Sequence, residues 1–437
     1  MLDSLKTFLD RRYLSIFLFG ITSGFPWILI GSVLSAWLKD EGLSRSAIGL
    51  FGAIFAVYSV NFLWSPLVDR IKPKILGQRR GWIFAMQTGI AVCCIVMSQL
   101  STESHLFYIA LIGLFIAIFS STQDIAIDGY RIDVIEANDK DGLSAASSVA
   151  TAGWWTGYGG LGAIPFFLAD TTNWYWPEIY ALLAGIMGLL MLTTLTAREP
   201  QIDRQALRDA IFSKTHLNSN SATPVGWLKQ TLIAPFVEFF SRNGVKLALS
   251  FLLFIFLFKI GEAFLGRMSI VFYKEIGFSN SEIGTYSKLL NWWVTILFSL
   301  AGGIVNIRYG IYKGLMTAGI AMASSNLMFS LIAQSGPNVS LLAAAVIIDG
   351  FTAAWSTVAM VAFISLLCNR AFSATQYALM ASLSVAGRTL IASSSGVVVD
   401  YLEGNWSLFF IITALMVIPS LLFLYSLRHK ITTLEQS

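Results

Sequence analysis

Long apolar stretches, separated by short polar ones, dominate the pattern of the 437-residue chain. A helix needs about 20 mostly apolar residues to cross the hydrocarbon core of a bilayer. Twelve stretches meet this requirement. They are 13–37, 47–68, 82–100, 106–130, 144–169, 178–197, 245–273, 282–306, 312–334, 340–367, 375–399 and 406–427. The pattern predicts an all-α membrane protein with twelve transmembrane helices.

A hydrophilic stretch between the sixth and seventh segments divides the chain in two. It is rich in arginine and lysine, including Arg204, Arg208 and Arg242. We therefore predict an amino-terminal six-helix bundle over residues 1–197, a linker over residues 198–243 and a carboxy-terminal six-helix bundle over residues 244–437.

Composition and charge agree with a membrane environment. Only 12% of the residues are charged and 56% are hydrophobic, whereas a soluble domain carries about 25% charged residues. Most of the 29 lysines and arginines fall on alternate connections, together with the linker and both chain ends. Because basic loops stay on the cytoplasmic side, we predict that both termini and the linker are cytoplasmic. The net charge of +4 does not indicate nucleic-acid binding.

Charged residues inside the segments are unevenly distributed. Segments 3, 6, 9 and 12 have none in their interiors, whereas segments 4, 7, 8, 10 and 11 do. A charge in hydrocarbon costs roughly 2.5–3.5 kcal/mol on insertion scales, so it needs a partner or a cavity.

Segment 4 carries the most polar helix face. Asp124, Asp128 and Arg131 follow at spacings of four and three, so they lie on one stripe. Two close carboxylates can hold a proton between them. For Asp124 and the adjacent Gln123, deep in the segment, this favours substrate orientation or proton coupling. For Arg131 and Asp133, near its end, a salt-bridge latch is favoured.

Three other segments place charge at depth. Lys259 and Glu262 in segment 7 are spaced to form either a static ion pair or one that exchanges partners during a cycle. Segment 10 carries Asp349. Segment 11 carries Arg388 about midway through the membrane, where an arginine needs an anionic partner from the protein or from a ligand.

The organisation as six plus six helices resembles the major facilitator superfamily. The connection between segments 2 and 3 adds to this resemblance, since it pairs Asp69-Arg70 with a downstream Arg79-Arg80. The resemblance implies that helices 3, 6, 9 and 12 are outer supports and that the other helices line a central cavity. It also implies a gating role at the inner ends of the helices. The residues expected there are Asp69, Arg70, Arg79, Arg80, Arg131 and Asp133.

A narrower resemblance is to the AmpG-type muropeptide permeases and covers nearly the whole chain. It is carried by the stretches 79–82, 121–128, 258–264 and 367–388. It implies a monomeric carrier in the bacterial inner membrane, where proton-driven import of peptidoglycan fragments serves cell-wall recycling and β-lactamase induction. These fragments are disaccharides of N-acetylglucosamine and anhydro-N-acetylmuramic acid, with or without a stem peptide. Relatives that also have twelve helices include importers of siderophores and of acetyl-coenzyme A, which remain the alternative.

A muropeptide site should offer cations for carboxylates, amides for the sugar and aromatic faces for stacking. Lys259 and Arg388 are the cationic candidates. The amide candidates are Gln123, Asn291 and Gln376. The ring candidates are Trp27, Trp154 and Trp292, each of which could instead be a packing residue. We predict that at least one of Asp124, Asp128, Glu262 and Asp349 couples transport to protons.

Other function classes lack the residues that they need. A membrane enzyme requires a nucleophile and base or a metal cluster, but the chain has only three histidines, all outside the predicted helices. No repeated pore signature indicates a channel. A non-transporting sensor on a carrier fold remains an alternative. We expect a small-molecule solute, protons and lipid as the partners, and no cofactor or metal.

Overall fold

A computed structural model describes residues 10–43, 51–136, 139–171, 174–215, 226, 229–278, 282–392 and 394–436. Nine helices in these ranges are long and apolar enough to cross a membrane. Three further spans, α2, α5 and α8, are made of shorter consecutive helices. We number all the spans α1 to α12 in chain order. The first half contains α1 (Arg11–Asp40), α2 (Gly52–Leu63, then Ser65–Arg70), α3 (Gln78–Met97), α4 (Thr102–Val134), α5 (Lys140–Trp155, Thr156–Leu161 and Gly162–Thr171) and α6 (Trp176–Thr196).

The second half repeats this organisation. It contains α7 (Val245–Ile276), α8 (Ile283–Leu290, then Asn291–Tyr309), α9 (Ile311–Ser335), α10 (Val339–Leu367), α11 (Arg370–Tyr401) and α12 (Trp406–Ser426). The predicted all-α fold with twelve spans is confirmed. The division into domains at residues 197 and 243 stays a prediction.

Helices α3, α6, α9 and α12 form the outside of the molecule. They present exposed apolar side chains such as Val92, Leu189, Leu327 and Leu422. This placement agrees with the lack of charge in their interiors. Each of these helices supports a neighbour from its own half, so the polar faces of the remaining helices are directed towards the centre.

Three central helices contain π-helical turns. These turns are Leu29–Val33 in α1, Thr156–Leu161 in α5 and Ile283–Leu290 in α8. A π-turn inserts an extra residue and turns the following side chains on the helix surface, often at a functional site. Helices α1 and α5 also pack at backbone distance. A Cβ on Gly24 would lie 2.1 Å from the carbonyl oxygen of Trp154, so only glycine fits.

The linker contains helices that we did not predict. The linker helix (Arg204–Thr215) begins after Asp203, whose side chain caps the amide of Ala206 at 3.0 Å. A second helix, Ala234–Asn243, leads into α7. We call the end of the bundle that carries the linker and both chain ends the linker end.

Candidate functional site

A central cavity of about 510 Å³ lies between the two halves. Helices α1, α4 and α5 line it from the first half, and α7, α8, α10 and α11 line it from the second. Its polar and aromatic wall consists of Ser23, Asp124, Asp128, Arg131, Thr151, Trp154, Trp155, Glu262, Asn291, Thr295, Asp349, Thr357, Tyr377 and Arg388. The volume is in the range of small-molecule sites in proteins.

Helix α4 contributes the acidic side of the cavity. Asp124 accepts a hydrogen bond of 2.6 Å from Ser23 Oγ on α1. Asp128 lies 3.1 Å from the guanidinium of Arg131, one turn further along α4. The predicted stripe of Asp124, Asp128 and Arg131 thus faces the cavity.

Arg131 connects this stripe to the opposite half. Its side chain is 1% exposed, and its guanidinium donates to Ser365 Oγ on α10 at 2.9 Å. The guanidinium also lies 4.9 Å from the ring centroid of Tyr377 on α11. Arg131 therefore forms the floor of the cavity towards the linker end.

The second half adds an ion pair and a further acid. Lys259 lies 2.7 Å from Glu262 and also donates to Thr357 Oγ1 at 2.7 Å. Lys259 is 4% exposed, so Glu262 stands between it and the cavity. Asp349 lines the cavity and accepts from Ser325 Oγ at 3.0 Å.

Arg388 is the cation of the wall without a counter-ion. It lines the cavity, and within the described ranges no carboxylate forms an ion pair with its guanidinium. Its Nε is buried and has no hydrogen-bond partner in the part of the chain that the structure describes. An arginine at this depth is costly unless an anion meets it, and the open space next to it is the central cavity.

Five predicted binding residues lie outside the cavity wall: Lys259, which stands behind Glu262, two amides and two tryptophans. Gln123 is fully buried and donates to the carbonyl of Thr22, which ties α4 to α1. Gln376 bonds to Glu238 at 2.6 Å and to the carbonyl of Pro235, at the linker end. Protein groups accept from the side-chain amides of both residues, and neither residue lines the cavity, so their substrate role stays a prediction.

Two of the three predicted tryptophans are packing residues. Trp27 packs against Phe55 and Tyr58 with ring centroids 5.1 and 4.4 Å apart. Trp292 donates from Nε1 to the carbonyl of Trp155 at 3.2 Å, so it joins α8 to α5. Trp154 lines the cavity as predicted.

Apart from Arg131, which lines the cavity, the predicted gating residues separate into two groups. The first is a buried cluster in which Arg79 binds both Asp69 and Asp133 at 2.7 Å. Its guanidinium also donates to Ser373 Oγ of α11 at 2.8 Å. Arg204 of the linker helix forms a further ion pair with Asp133. This cluster joins the two halves at the linker end.

Arg70 and Arg80 belong to the second group and do not join the halves. Arg80 donates to the carbonyls of Thr194 and Leu195, at 2.7 and 2.8 Å. It therefore caps the end of α6 within its own half, and its gating role stays a prediction. Arg70 lines a separate pocket at the linker end.

Several residues of the site were missed from the sequence. Trp155, Thr357 and Tyr377 line the cavity, and Ser373 with Thr375 completes the buried cluster. Trp155 could have been included from the sequence, because it is adjacent to the ring candidate Trp154. The serine and threonine lie in the stretch 367–388, which carried the family resemblance.

Comparisons with known proteins agree with this architecture. The model of the Major Facilitator Superfamily matches residues 16–287. The putative transporter AmpG 4 of Rickettsia felis is 32% identical over 98% of this chain and 99% of its own length. The anhydromuropeptide permease of Escherichia coli K12 is 31% identical over 98% of this chain and 82% of its own length.

Solved structures show the same fold at low identity. The proton:xylose symporter XylE superposes with a TM-score of 0.68 and 14% identity, over 95% of this chain and 94% of that one. The human organic anion transporter MFSD10 gives a TM-score of 0.61 and 16% identity, over 95% and 99% of the two chains. The chain is therefore a multi-pass membrane transporter that belongs to the major facilitator superfamily and, within it, to the AmpG-type permeases.

Proposed function

We propose that this transporter imports peptidoglycan-derived muropeptides into the cytoplasm by alternating access, driven by protons. The solute would be N-acetylglucosamine–anhydro-N-acetylmuramic acid with or without its stem peptide, taken up for cell-wall recycling. In this proposal the protein acts as a monomer in a bacterial inner membrane, with the linker and both termini in the cytoplasm. The similarity to the anhydromuropeptide permease of Escherichia coli supports the choice of solute.

The observation that carries the proposal is the guanidinium of Arg388 in the wall of the cavity, which forms no ion pair with any described carboxylate. A guanidinium binds a carboxylate through two parallel hydrogen bonds, and the stem peptide supplies carboxylates. Trp154 and Trp155 offer rings for a sugar face, and Asn291 offers an amide for its hydroxyl and acetamido groups. These three kinds of group match the three chemical features of a muropeptide.

Proton coupling would use the carboxylates of the same cavity. Asp124, Asp128, Glu262 and Asp349 all line it. A carboxylate held away from bulk water can take up a proton near neutral pH. Binding of a solute and a proton in one cavity would link both to the same conformational change.

Uptake into proteoliposomes tests the proposal. Four labelled compounds are offered separately: the disaccharide, the disaccharide tripeptide, a ferric siderophore and acetyl-coenzyme A. Each is offered with and without a proton gradient that is acidic outside the vesicles and neutral inside. We expect that only the two muropeptides accumulate, and that they do so only when the gradient is present. Without the gradient, we expect the muropeptides to show counterflow. Accumulation of the siderophore or of acetyl-coenzyme A instead would overturn the solute, and accumulation without a gradient would overturn the coupling. Absence of counterflow with all four compounds would favour a sensor.

A further inference from the structure

A second large cavity, of about 500 Å³, opens at the linker end. It lies between the connection from α2 to α3 and the start of the linker, and it shares no lining residue with the central cavity. We call it the linker pocket. Four of its lining residues are cationic: Arg70, Lys72, Arg204 and Arg208.

The acids of the linker pocket are already bound to backbone amides. Glu199 accepts from the amides of Arg79 and Arg80 at 2.8 and 3.0 Å, so it caps the start of α3. Asp203 caps the linker helix through the amide of Ala206. Both carboxylates therefore serve helix ends, where the helix dipole favours them, and neither forms an ion pair with the four cations.

Behind the pocket, two carboxylates, those of Asp69 and Asp133, lie among three arginines, Arg79, Arg204 and Arg208. Asp69 and Asp133 bind Arg79, and Asp133 also binds Arg204. Among the described residues, Arg208 forms no ion pair, and its guanidinium donates to the backbone carbonyls of Asp69 and Ala371. The cluster thus keeps an excess of positive charge on the side of the pocket.

The four cations of the linker pocket are not fully neutralised by the described part of the protein. Arg204 is 6% exposed, and its Nε has no hydrogen-bond partner among the described residues. Within the described ranges Arg70 and Lys72 form no ion pair. Burial, reinforced by the neighbouring Arg70 and Arg204, lowers the pKa of Arg208 to about 10. The crowded cations are those that a bound anion would stabilise.

We propose that the linker pocket is a binding site for a phosphate group, carried either by an anionic phospholipid headgroup or by a soluble phosphate compound. Guanidinium groups match the oxygens of phosphate through paired hydrogen bonds. Basic residues at a membrane surface attract anionic lipid, and the adjacent Ile71 and Ile75 are exposed. The proposal does not depend on which solute the central cavity carries.

Occupation of the linker pocket has a structural consequence. Arg204 and Arg208 line the pocket and also contact the cluster between the halves. Arg204 pairs with the carboxylate of Asp133, and Arg208 donates to the backbone carbonyl of Asp69. An anion bound to these arginines holds the linker helix against the closed linker end. The site thus stabilises the conformation in which the two halves are joined there.

The test uses the full chain in phosphatidylcholine nanodiscs, with the apparent Tm as the measurement. In one arm phosphatidylglycerol replaces a rising fraction of the lipid. In the other arm pyrophosphate is added, with chloride at equal ionic strength as its control. We expect a rise in Tm in at least one arm for the wild type. In Arg70→Gln/Lys72→Gln the concentration for half of the effect should increase about tenfold, because charge-assisted hydrogen bonds are lost.

Lys74→Gln is the matched control, since Lys74 is exposed in the same connection but does not line the pocket. It should respond like the wild type. A rise with phosphatidylglycerol alone assigns a lipid, and a rise with pyrophosphate alone assigns a soluble ligand. The proposal is wrong if neither arm raises the Tm, or if the double variant responds as strongly as the wild type. Should the double variant fail to fold, Lys72→Gln takes its place in the same comparison, because Lys72 is exposed.

Discussion

Thr375 and Asp69, which lie 306 positions apart in the chain, are joined by two hydrogen bonds to one carboxylate oxygen. The amide of Thr375 donates at 2.8 Å and its hydroxyl at 2.6 Å. Thr375 lies near the start of α11 and Asp69 near the end of α2. The contact therefore fastens the second half to the first at the linker end, beside the ion pairs of Arg79.

Asp69→Asn should open the linker end. A hydrogen bond to a charged group contributes roughly 1.5–3 kcal/mol, so loss of the charge should shift the equilibrium at least about tenfold towards separated halves. Double electron–electron resonance between spin labels at the exposed positions 74 and 313 measures this separation. Asp69→Asn should increase the population of long distances.

Thr375→Val should produce a smaller change in the same direction, because its amide still reaches Asp69. Thr317→Val is the control, since the hydroxyl of Thr317 bonds only to carbonyls of its own helix. The control should leave the distances unchanged. Unchanged distances in Asp69→Asn would show that the contact between Asp69 and Thr375 does not hold the halves together.

The ion pair of Lys259 and Glu262 should be energetically coupled. Removing one partner of a buried pair costs up to roughly 3–5 kcal/mol, because the remaining charge is left without compensation. Glu262 is 22% exposed, so water screens part of that cost. Lys259→Met should therefore lower the apparent Tm by more than Lys259→Met/Glu262→Gln does.

Lys274→Met is the control for this comparison, because Lys274 is exposed near the end of the same helix. It should leave the apparent Tm unchanged within error. Equal losses in the single and the double variant would mean that Lys259 contributes through Thr357 and the carbonyl of Ala353, to which it also donates, and that the pair itself adds little.

The spans and the buried charges could be predicted because a bilayer imposes simple physical demands. A helix must be long and apolar to cross it, and a charge within it must face a cavity or a partner. Asp124, Glu262, Asp349 and Arg388 were placed in the site by that reasoning, and they line the cavity.

Uncharged side chains do not carry such a penalty, so whether they face the cavity or a neighbouring helix depends on the packing of the helices. Gln123 and Gln376 were expected at the ligand, yet they bond to protein groups. Trp155 and Tyr377 were not expected, yet they line the cavity. The arginines of the linker were interpreted as cytoplasmic charge, because a helix that docks under the bundle cannot be distinguished in sequence from a basic loop.

Neutralising the coupling acid should separate two modes of transport. We predict that at least one of Asp124→Asn, Asp128→Asn, Glu262→Gln and Asp349→Asn abolishes gradient-driven uptake and retains counterflow. A permanently neutral side chain imitates the protonated form, so the loaded carrier still exchanges but no longer responds to the gradient. Uptake and counterflow are measured in the same proteoliposomes.

Asp400→Asn is the control for the four acid variants, because Asp400 is exposed on α11 and lies outside the cavity wall. It should accumulate solute like the wild type. If all four cavity variants also accumulate solute to the wild-type level, the coupling acid is elsewhere or transport is not coupled to protons.

Arg388→Lys should weaken binding of the disaccharide peptide more than binding of the bare disaccharide. Lysine keeps the charge but cannot form the two parallel hydrogen bonds that a guanidinium makes with a carboxylate. Loss of one charge-assisted hydrogen bond corresponds to roughly 1.5–3 kcal/mol, or about ten- to a hundredfold in Kd. Isothermal titration calorimetry with both ligands on the purified protein measures the difference.

The control is Arg267→Lys, because Arg267 is exposed on α7 and does not line the cavity. It should bind both ligands like the wild type. An equal loss for both ligands in Arg388→Lys would mean that Arg388 contacts the sugar or supports the cavity wall. Wild-type affinity for both would mean that the unpaired guanidinium does not receive the ligand, and the carboxylate would then have to be bound by Arg131, the other arginine of the wall. Because Arg131 already pairs with Asp128, that arrangement would release Asp128 upon binding and make it the first acid to examine for coupling.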